Sequence, residues 1–387
     1  MRFFSMRKEL VVPTLVSVLF NFMIYLYAPL LPIYFKEAGI SDQMLGIVFA
    51  CFPLMLVLFS PVVGALADHV GRKRIIYAGI VFQAIAAVLY IWMPTVPMIM
   101  LARFLAAVGW AGVGLITLAK VEDHLSKEER GSKAGVFLSF SYIGFLIAPP
   151  IGAYLAQLVS IRFTLMLSLF GMLILLVWLT LWKSHHKPVI EKRDFNPWRS
   201  IKIFLSHKKL RAMAILGAAM NSKNPVFQIF LPLLLLQMGY TYAAVGMVFF
   251  LDGFSYLFQG VAGKIVDKVG SAKVVIISVL FASSAFTLMG FADSIVFLCL
   301  LVVFQALASA FWNISAWTLM SETGEQEGIE GVVVGSYSSL ARIGYFILSV
   351  ASGFIAVAYG MRILFVIAGG VSLLALALTA RTLASPE

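Results

Sequence analysis

Four charged side chains, Arg103, Lys223, Asp252 and Arg342, stand inside stretches that are otherwise apolar. A charge in such surroundings can exchange a proton or hold an opposite charge. Asp252 is the candidate proton carrier, since its carboxylate would lose its attraction for Lys223 on taking a proton. Lys223 lies in MNSKNPVFQ, where Pro225 removes a helical donor and bends the chain, leaving backbone groups available beside Asn221, Asn224 and Gln228. Arg103, Lys223 and Arg342 outnumber Asp252, a balance that suits a solute carrying a carboxylate or phosphate. Asn21, Tyr25, Tyr142 and Asn313 add polar and aromatic lining candidates, Asn313 because a buried amide demands a partner. Trp110, Phe227, Trp312 and Tyr337 offer further aromatic surface.

The elements that position these residues follow from composition. The chain has 387 residues, 61% of them hydrophobic and 12% charged, with a mean hydropathy of +0.97. Apolar segments recur along its whole length, enough for roughly twelve crossings of a hydrocarbon layer about 30 Å thick. The expectation is an all-α polytopic membrane protein with twelve transmembrane helices, the seventh over 210–236 carrying Lys223 and the eighth over 242–264 carrying Asp252. A charge facing lipid would cost several kcal/mol, so the four must face protein or a wet cavity.

Basic residues mark the boundaries. With both ends inside, cytoplasmic segments hold Arg72, Lys73, Arg74, Lys120, Lys127, Arg130 and the basic stretch from Lys183 to Arg211; the opposite side receives Lys36, Arg162 and Arg362. This is the positive-inside pattern. It places the chain in a cell inner (plasma) membrane with both termini cytoplasmic, and assigns the net charge of +11 to topology and lipid contact, not nucleic acid. The central connection, 184–208, separates residues 1–183 from 209–387. Its second half places Trp198, Ile201, Phe204 and Leu205 on one helical face, as an interfacial helix would. His185 and His186 read as a solvated run, and Cys51 and Cys299 as packing residues, with no disulfide scaffold, metal site or cofactor implied. No G-x-x-x-x-G-K-S/T loop is present, which excludes that route to ATP hydrolysis.

The two halves repeat. Asn21 and Asn221, Pro32 and Pro232, Gly39 and Gly239, Gly46 and Gly246, Gly144 and Gly344, and Arg162 and Arg362 all recur at a separation of 200 residues. Two six-helix halves in the same orientation imply a pseudo-twofold axis along the membrane normal, a path between the halves and a rocking motion. GALADHVGRKR, from Gly64 to Arg74, has its counterpart in GKIVDKVGSAK, from Gly263 to Lys273. In these segments glycines permit a tight reversal and close helix approach, and Asp68 and Asp267 can accept hydrogen bonds from helix-start amides. Arg72 can pair with Asp123. A conformational latch over Gly64, Asp68, Gly71, Arg72, Asp123, Asp267 and Gly270 is therefore expected, with Asp68 meeting the start of the eleventh helix and Asp267 that of the fifth.

The first of these segments resembles the G-x-x-x-D-x-x-G-R-K-R loop motif of the major facilitator superfamily, with His69 in place of the usual basic residue. EDHLSKEERG, from Glu122 to Gly131, resembles the family's segment between spans four and five. RFLAAVG, from Arg103 to Gly109, is similar to its R-x-x-x-G-x-G pattern. GFLIAPPIGA, with Gly144, Pro149, Pro150 and Gly152, resembles the G-x-x-x-G-P-x-x-G-G pattern of proton-coupled exporters, with Ala148 and Ala153 replacing glycines. The resemblance implies two pseudo-symmetric six-helix bundles and a monomeric, non-enzymatic transporter. It would exchange protons for small hydrophobic or amphiphilic compounds, most like the drug and multidrug exporters. Many of those place an acid in the first span; this chain has Asn21 and Tyr25 there and no acid between Glu9 and Glu37. The alternative is a carrier selective for an anionic metabolite or lipid.

Overall fold

A computed structural model describes residues 8–92, 95–123, 127–182, 197–327 and 329–384, and every regular element among them is helical. Among the described residues eleven helices are long and apolar enough to cross a membrane. In chain order the spans are α1 (Leu10–Glu37), α2 (Asp42–Val70), α3 (Arg72–Trp92), α4 (Val96–Val121), α5 (Lys127–Leu158), α6 (Ile161–Leu181), α8 (Tyr242–Val269), α9 (Ser271–Met289), α10 (Ile295–Gln326), α11 (Glu330–Tyr359) and α12 (Met361–Ala384).

The expected seventh span, α7, is built from pieces: Lys208–Asn221, a turn at Ser222, Lys223–Pro225, a π-helical turn over Val226–Phe230, and Leu231–Gln237. Pro225 and Pro232 lack the N–H groups that would have bonded the Asn221 and Gln228 carbonyls, so the ladder slips where they stand. The first span breaks at the matching place. A turn at Leu26–Tyr27 leads into a 3-10 segment, Ala28–Leu30, around Pro29.

The spans also outrun their apolar cores at the end that carries the basic residues, here the basic end. α2 continues through Asp68 to Val70, and α10 to Gln326. What the sequence presents as a loop motif is a helix, one glycine and a second helix. Gly71 (φ 97°) turns the chain between α2 and α3, and Gly270 (φ 95°) does so between α8 and α9; a side chain at either position would meet the left-handed penalty.

The residues form two compact units, 1–40, 54–192 and 235–250 in one, and 41–53, 193–234 and 251–387 in the other. In the middle of the chain one unit's segment ends at 192 and the other's begins at 193. At the end away from the basic residues, the far end, the start of α2 belongs to the second unit and the start of α8 to the first.

Within each unit the packing repeats at 200 residues. A Cβ on Gly144 would fall 2.6 Å from the Val18 carbonyl oxygen and 2.8 Å from the Phe22 nitrogen, so α5 lies backbone to backbone on α1; Gly344 of α11 abuts Ala218 of α7 in the same way. In the second unit Gly46 presses on Ser349, Val350 and Gly353 of α11. In the first, Gly246 presses on Pro149, Pro150 and Ala153 of α5. The partners are themselves 200 apart. The first unit adds two polar ties at the far end, Tyr242 Oη donating to Glu37 Oε1 and the Ala243 N–H donating to Gln157 Oε1 at 3.1 Å.

The helix Pro197–Ser206 precedes α7. Phe204 is fully buried in the core of the second unit with Leu210, Met213 and Val333, while Arg199 and Lys202 are exposed. Leu205 packs against the same core. Lys183, His185 and His186 lie outside the described residues.

Candidate functional site

In the second unit the break in α7 sorts its polar residues onto two faces. Asn221, Asn224 and Gln228 follow the i, i+3, i+7 rule and share one face. Asn221 Nδ2 donates to the Gly217 carbonyl at 2.9 Å, and Asn224 Nδ2 to Asn221 Oδ1 at 3.2 Å. Gln228 Oε1 accepts from the hydroxyl of Tyr345 on α11 at 2.6 Å. Arg342, three residues before Tyr345, is half-buried and reaches the Ser338 carbonyl at 3.5 Å.

Lys223 points elsewhere. It is 4% exposed, its Nζ has no hydrogen-bond partner among the described residues, and it stands 5.7 Å from the ring centre of Phe286 on α9. The charge that acts on it is Asp252, half-buried on α8, through space and without a direct ion pair. Lys223 thus faces α9, away from the side chains of Asn221, Asn224 and Gln228. Residues one position apart on a helix point about 100° apart, and the lysine takes the direction of α9. Asn313 is half-buried on α10, whereas Phe227, Trp312 and Tyr337 are buried and serve packing.

In the first unit Tyr25, Tyr142 and Phe145 form an aromatic group, with ring centres 4.2 Å apart for Tyr25–Phe145 and 5.6 Å for Tyr142–Phe145. Asn21 is buried beside them on α1, its Nδ2 3.5 Å from Ser17 Oγ. Gly152 fits against Leu26. The Gly144–Gly152 pattern therefore does packing work twice, its glycines admitting α1 and its prolines receiving Gly246 of α8. Arg103 is 8% exposed on α4, within electrostatic reach of Tyr27 on α1.

At the basic end Arg72 pairs with Asp123 at 2.8 Å and approaches Asp68 at 4.0 Å. The second unit replaces this ion pair with a neutral donor, as Ser271 Oγ donates to Glu322 Oε2 at 2.6 Å. Ser271 and Glu322 follow Arg72 and Asp123 by 199 residues each, so one position is kept and its charge is dropped. Asp68 and Asp267 are exposed on the last turns of α2 and α8. Gly64 has open space where a Cβ would stand, so the expected close approach there is absent. Lys73 donates to the Trp182 carbonyl, and Lys120, 2% exposed, sits 4.8 Å from the Trp182 ring centre.

A family model, Major Facilitator Superfamily, matches residues 14–256 and 242–387. The chain belongs to the major facilitator superfamily. Among relatives of this superfamily member, the uncharacterized MFS-type transporter MJ1560 of Methanocaldococcus jannaschii is 24% identical over 335 residues, covering 85% of this chain and 86% of its own. The quinolone resistance protein NorA of Staphylococcus aureus is 27% identical over 135 residues, 34% of each chain. The crystal structure of the nucleoside transporter NupG shares the fold with a TM-score of 0.80 at 16% identity, over 98% of this chain and all of that one. Family and fold are those of membrane transporters.

Three residues near Arg103 of this superfamily member escaped sequence reasoning: Tyr27, Gln83 and Tyr90. Gln83 Nε2 donates to Tyr27 Oη at 2.9 Å, and the rings of Tyr27 and Tyr90 are 6.3 Å apart between centres. A lone glutamine in the apolar run of α3 was the available signal, because a buried amide requires partners.

Proposed function

We propose that this chain is a proton-coupled secondary transporter that exports small hydrophobic or amphiphilic compounds by alternating access, with Asp252 and Lys223 as the coupling pair. The observation that carries this reading is the buried, unpartnered ammonium of Lys223 beside the half-buried carboxylate of Asp252. A proton arriving at Asp252 removes the one opposite charge acting on Lys223, which changes the energy of the α7–α8 pair without any covalent step. Export is supported by the Gly144–Gly152 pattern and by the partial similarity to a quinolone resistance protein. The basic end faces the cytoplasm of an inner (plasma) membrane, where Arg72, Asp123, Asp68 and Asp267 latch the inward side and basic side chains meet lipid phosphates. The working unit is the monomer.

The test is flux in proteoliposomes with an imposed proton gradient, screening lipophilic cations, organic anions and lysolipids. The reading expects gradient-driven movement of amphiphilic compounds, lost in Asp252→Asn and in Lys223→Met. Normal coupling in Asp252→Asn over a broad pH range would remove Asp252 from the mechanism. The surplus of basic groups at Arg103, Lys223 and Arg342 favours a second reading, a carrier for one anionic solute. Saturable binding of a single anion, abolished in Lys223→Ala, with no transport of cations, would select it.

A further inference from the structure

The transport reading leaves unused a buried polar group behind the break in α1. Tyr27 sits at that break with both backbone groups in tight turns, its N–H bonded to the Ile24 carbonyl at 3.2 Å and its carbonyl to the Leu30 N–H at 2.9 Å. Whatever holds Tyr27 sets the angle between the two helical pieces of α1. Its ring is 1% exposed and its hydroxyl accepts from Gln83 Nε2.

Gln83 is itself 2% exposed, and its Oε1 has no hydrogen-bond partner among the described residues. It stands where α3 and α4 touch through their backbones. A Cβ on Gly109 would fall 2.7 Å from the Gly79 carbonyl oxygen and 3.1 Å from the Gln83 nitrogen, and one on Gly79 would fall 2.8 Å from the Gly109 carbonyl oxygen. Six residues before Gly109 on α4 is Arg103, whose charge acts on Tyr27. Any shift of α4 is therefore felt at Gln83, and through it at the break.

The second half shows that the fold does not require these groups. In the second half Tyr27 becomes Phe227 at 200 residues, while Gln83, Tyr90 and Arg103 become Ala282, Met289 and Val302 at the 199-residue spacing that links Arg72 to Ser271 and Asp123 to Glu322, and α7 still breaks at the matching place. Burying an amide with one end unsatisfied forfeits the hydrogen bond that water would have given it. A polar group maintained at that cost, where the related half manages without it, points to a role in the working cycle.

We propose that Gln83 is a positioning residue for transport, holding the hinge of α1 at Tyr27 in register with α4. It contacts neither proton nor cargo in this role. Without it the two pieces of α1 move independently of α3 and α4, and the cycle slows while cargo still binds.

The experiment uses the full chain with Cys51→Ser and Cys299→Ser, which removes both native thiols, and a reporter cysteine at Ala28. Maleimide labelling rates at Ala28→Cys are measured in Gln83→Met, Tyr27→Phe, the double variant and Gln83→Glu, whose carboxyl can still bond the Tyr27 hydroxyl. Gln83→Met and Tyr27→Phe are each expected to raise the rate about tenfold, the double variant no further, and Gln83→Glu to restore it. In proteoliposomes the first two should lower the maximal rate about tenfold with an unchanged half-saturating concentration. Labelling that stays at the parental rate in Tyr27→Phe, or effects of the two substitutions that multiply, would overturn the proposal. The labelling arm needs neither cargo nor proton gradient, so its outcome is separate from the fate of the export reading.

Discussion

Lys223 is the residue whose burial is hardest to explain by packing. Its counterpart in the first half is Met23, which presses its thioether against Gly171 of α6, so an apolar side chain suffices at this position. The lysine is 4% exposed and Asp252 is half-buried. The two are therefore unequal partners, Lys223 being the more deeply buried. Lys223→Met should stabilise the detergent-solubilised protein by about 1–3 kcal/mol, and Asp252→Asn should destabilise it by a similar amount, since it leaves the buried ammonium with no opposite charge. The double variant should resemble Lys223→Met. Melting temperatures of the three check the order, and Asp252→Asn melting at or above the parent would show that the carboxylate is not the lysine's counter-charge. The sequence identified both residues by charge alone, but not the direction of the lysine, since a side chain's facing is set by where the helix breaks.

At the scale of elements, glycines that look alike in the sequence have opposite roles in the packing. Gly344 lies against the Ala218 backbone and Gly144 against Val18 and Phe22, whereas Gly64, in the motif that drew attention first, faces open space inside α2. Gly344→Val should therefore cost more than about 3 kcal/mol through forced separation of α11 from α7. Gly64→Ala should gain about 0.5–1 kcal/mol from helix propensity. Thermal unfolding of the two variants separates these cases, and a Gly64→Ala variant as damaged as Gly344→Val would show a contact at Gly64 that the packing lacks. The ion pair Arg72–Asp123 and its neutral counterpart Ser271–Glu322 invite a similar comparison. Arg72→Ala should cost about 1 kcal/mol and be sensitive to salt, while Ser271→Ala should cost about as much and be insensitive to it. The sequence contained the repeat that links these pairs, but not the substitution of one interaction by another, because Arg72 and Ser271 share a position and no chemistry.

For the whole molecule, the repeat at 200 residues predicts two halves, yet the compact units exchange their far-end segments. Residues 41–53 pack with the second half and 235–250 with the first. The exchange follows from Gly46 and Gly246. Each is the point at which a helix from one half reaches the backbone of a helix from the other, and hydropathy registers both only as small residues in apolar runs. The spans were legible because lipid imposes about twenty apolar residues on each, but not the helical extensions beyond the apolar cores, nor which span touches which, since apolar surfaces match many partners. An isolated half should therefore be incomplete in a specific way, missing the segment that covers α5 or α11. Residues 1–192 and 193–387 expressed as two chains should co-purify, melt as one species within a few degrees of the intact protein and keep flux activity. The chain 1–192 alone should label readily with a thiol reagent at a cysteine placed at Ala153, a site that the complete protein covers with Gly246. If the lone half protected that cysteine as well as the full chain does, the far-end exchange would not be part of what holds the first unit together.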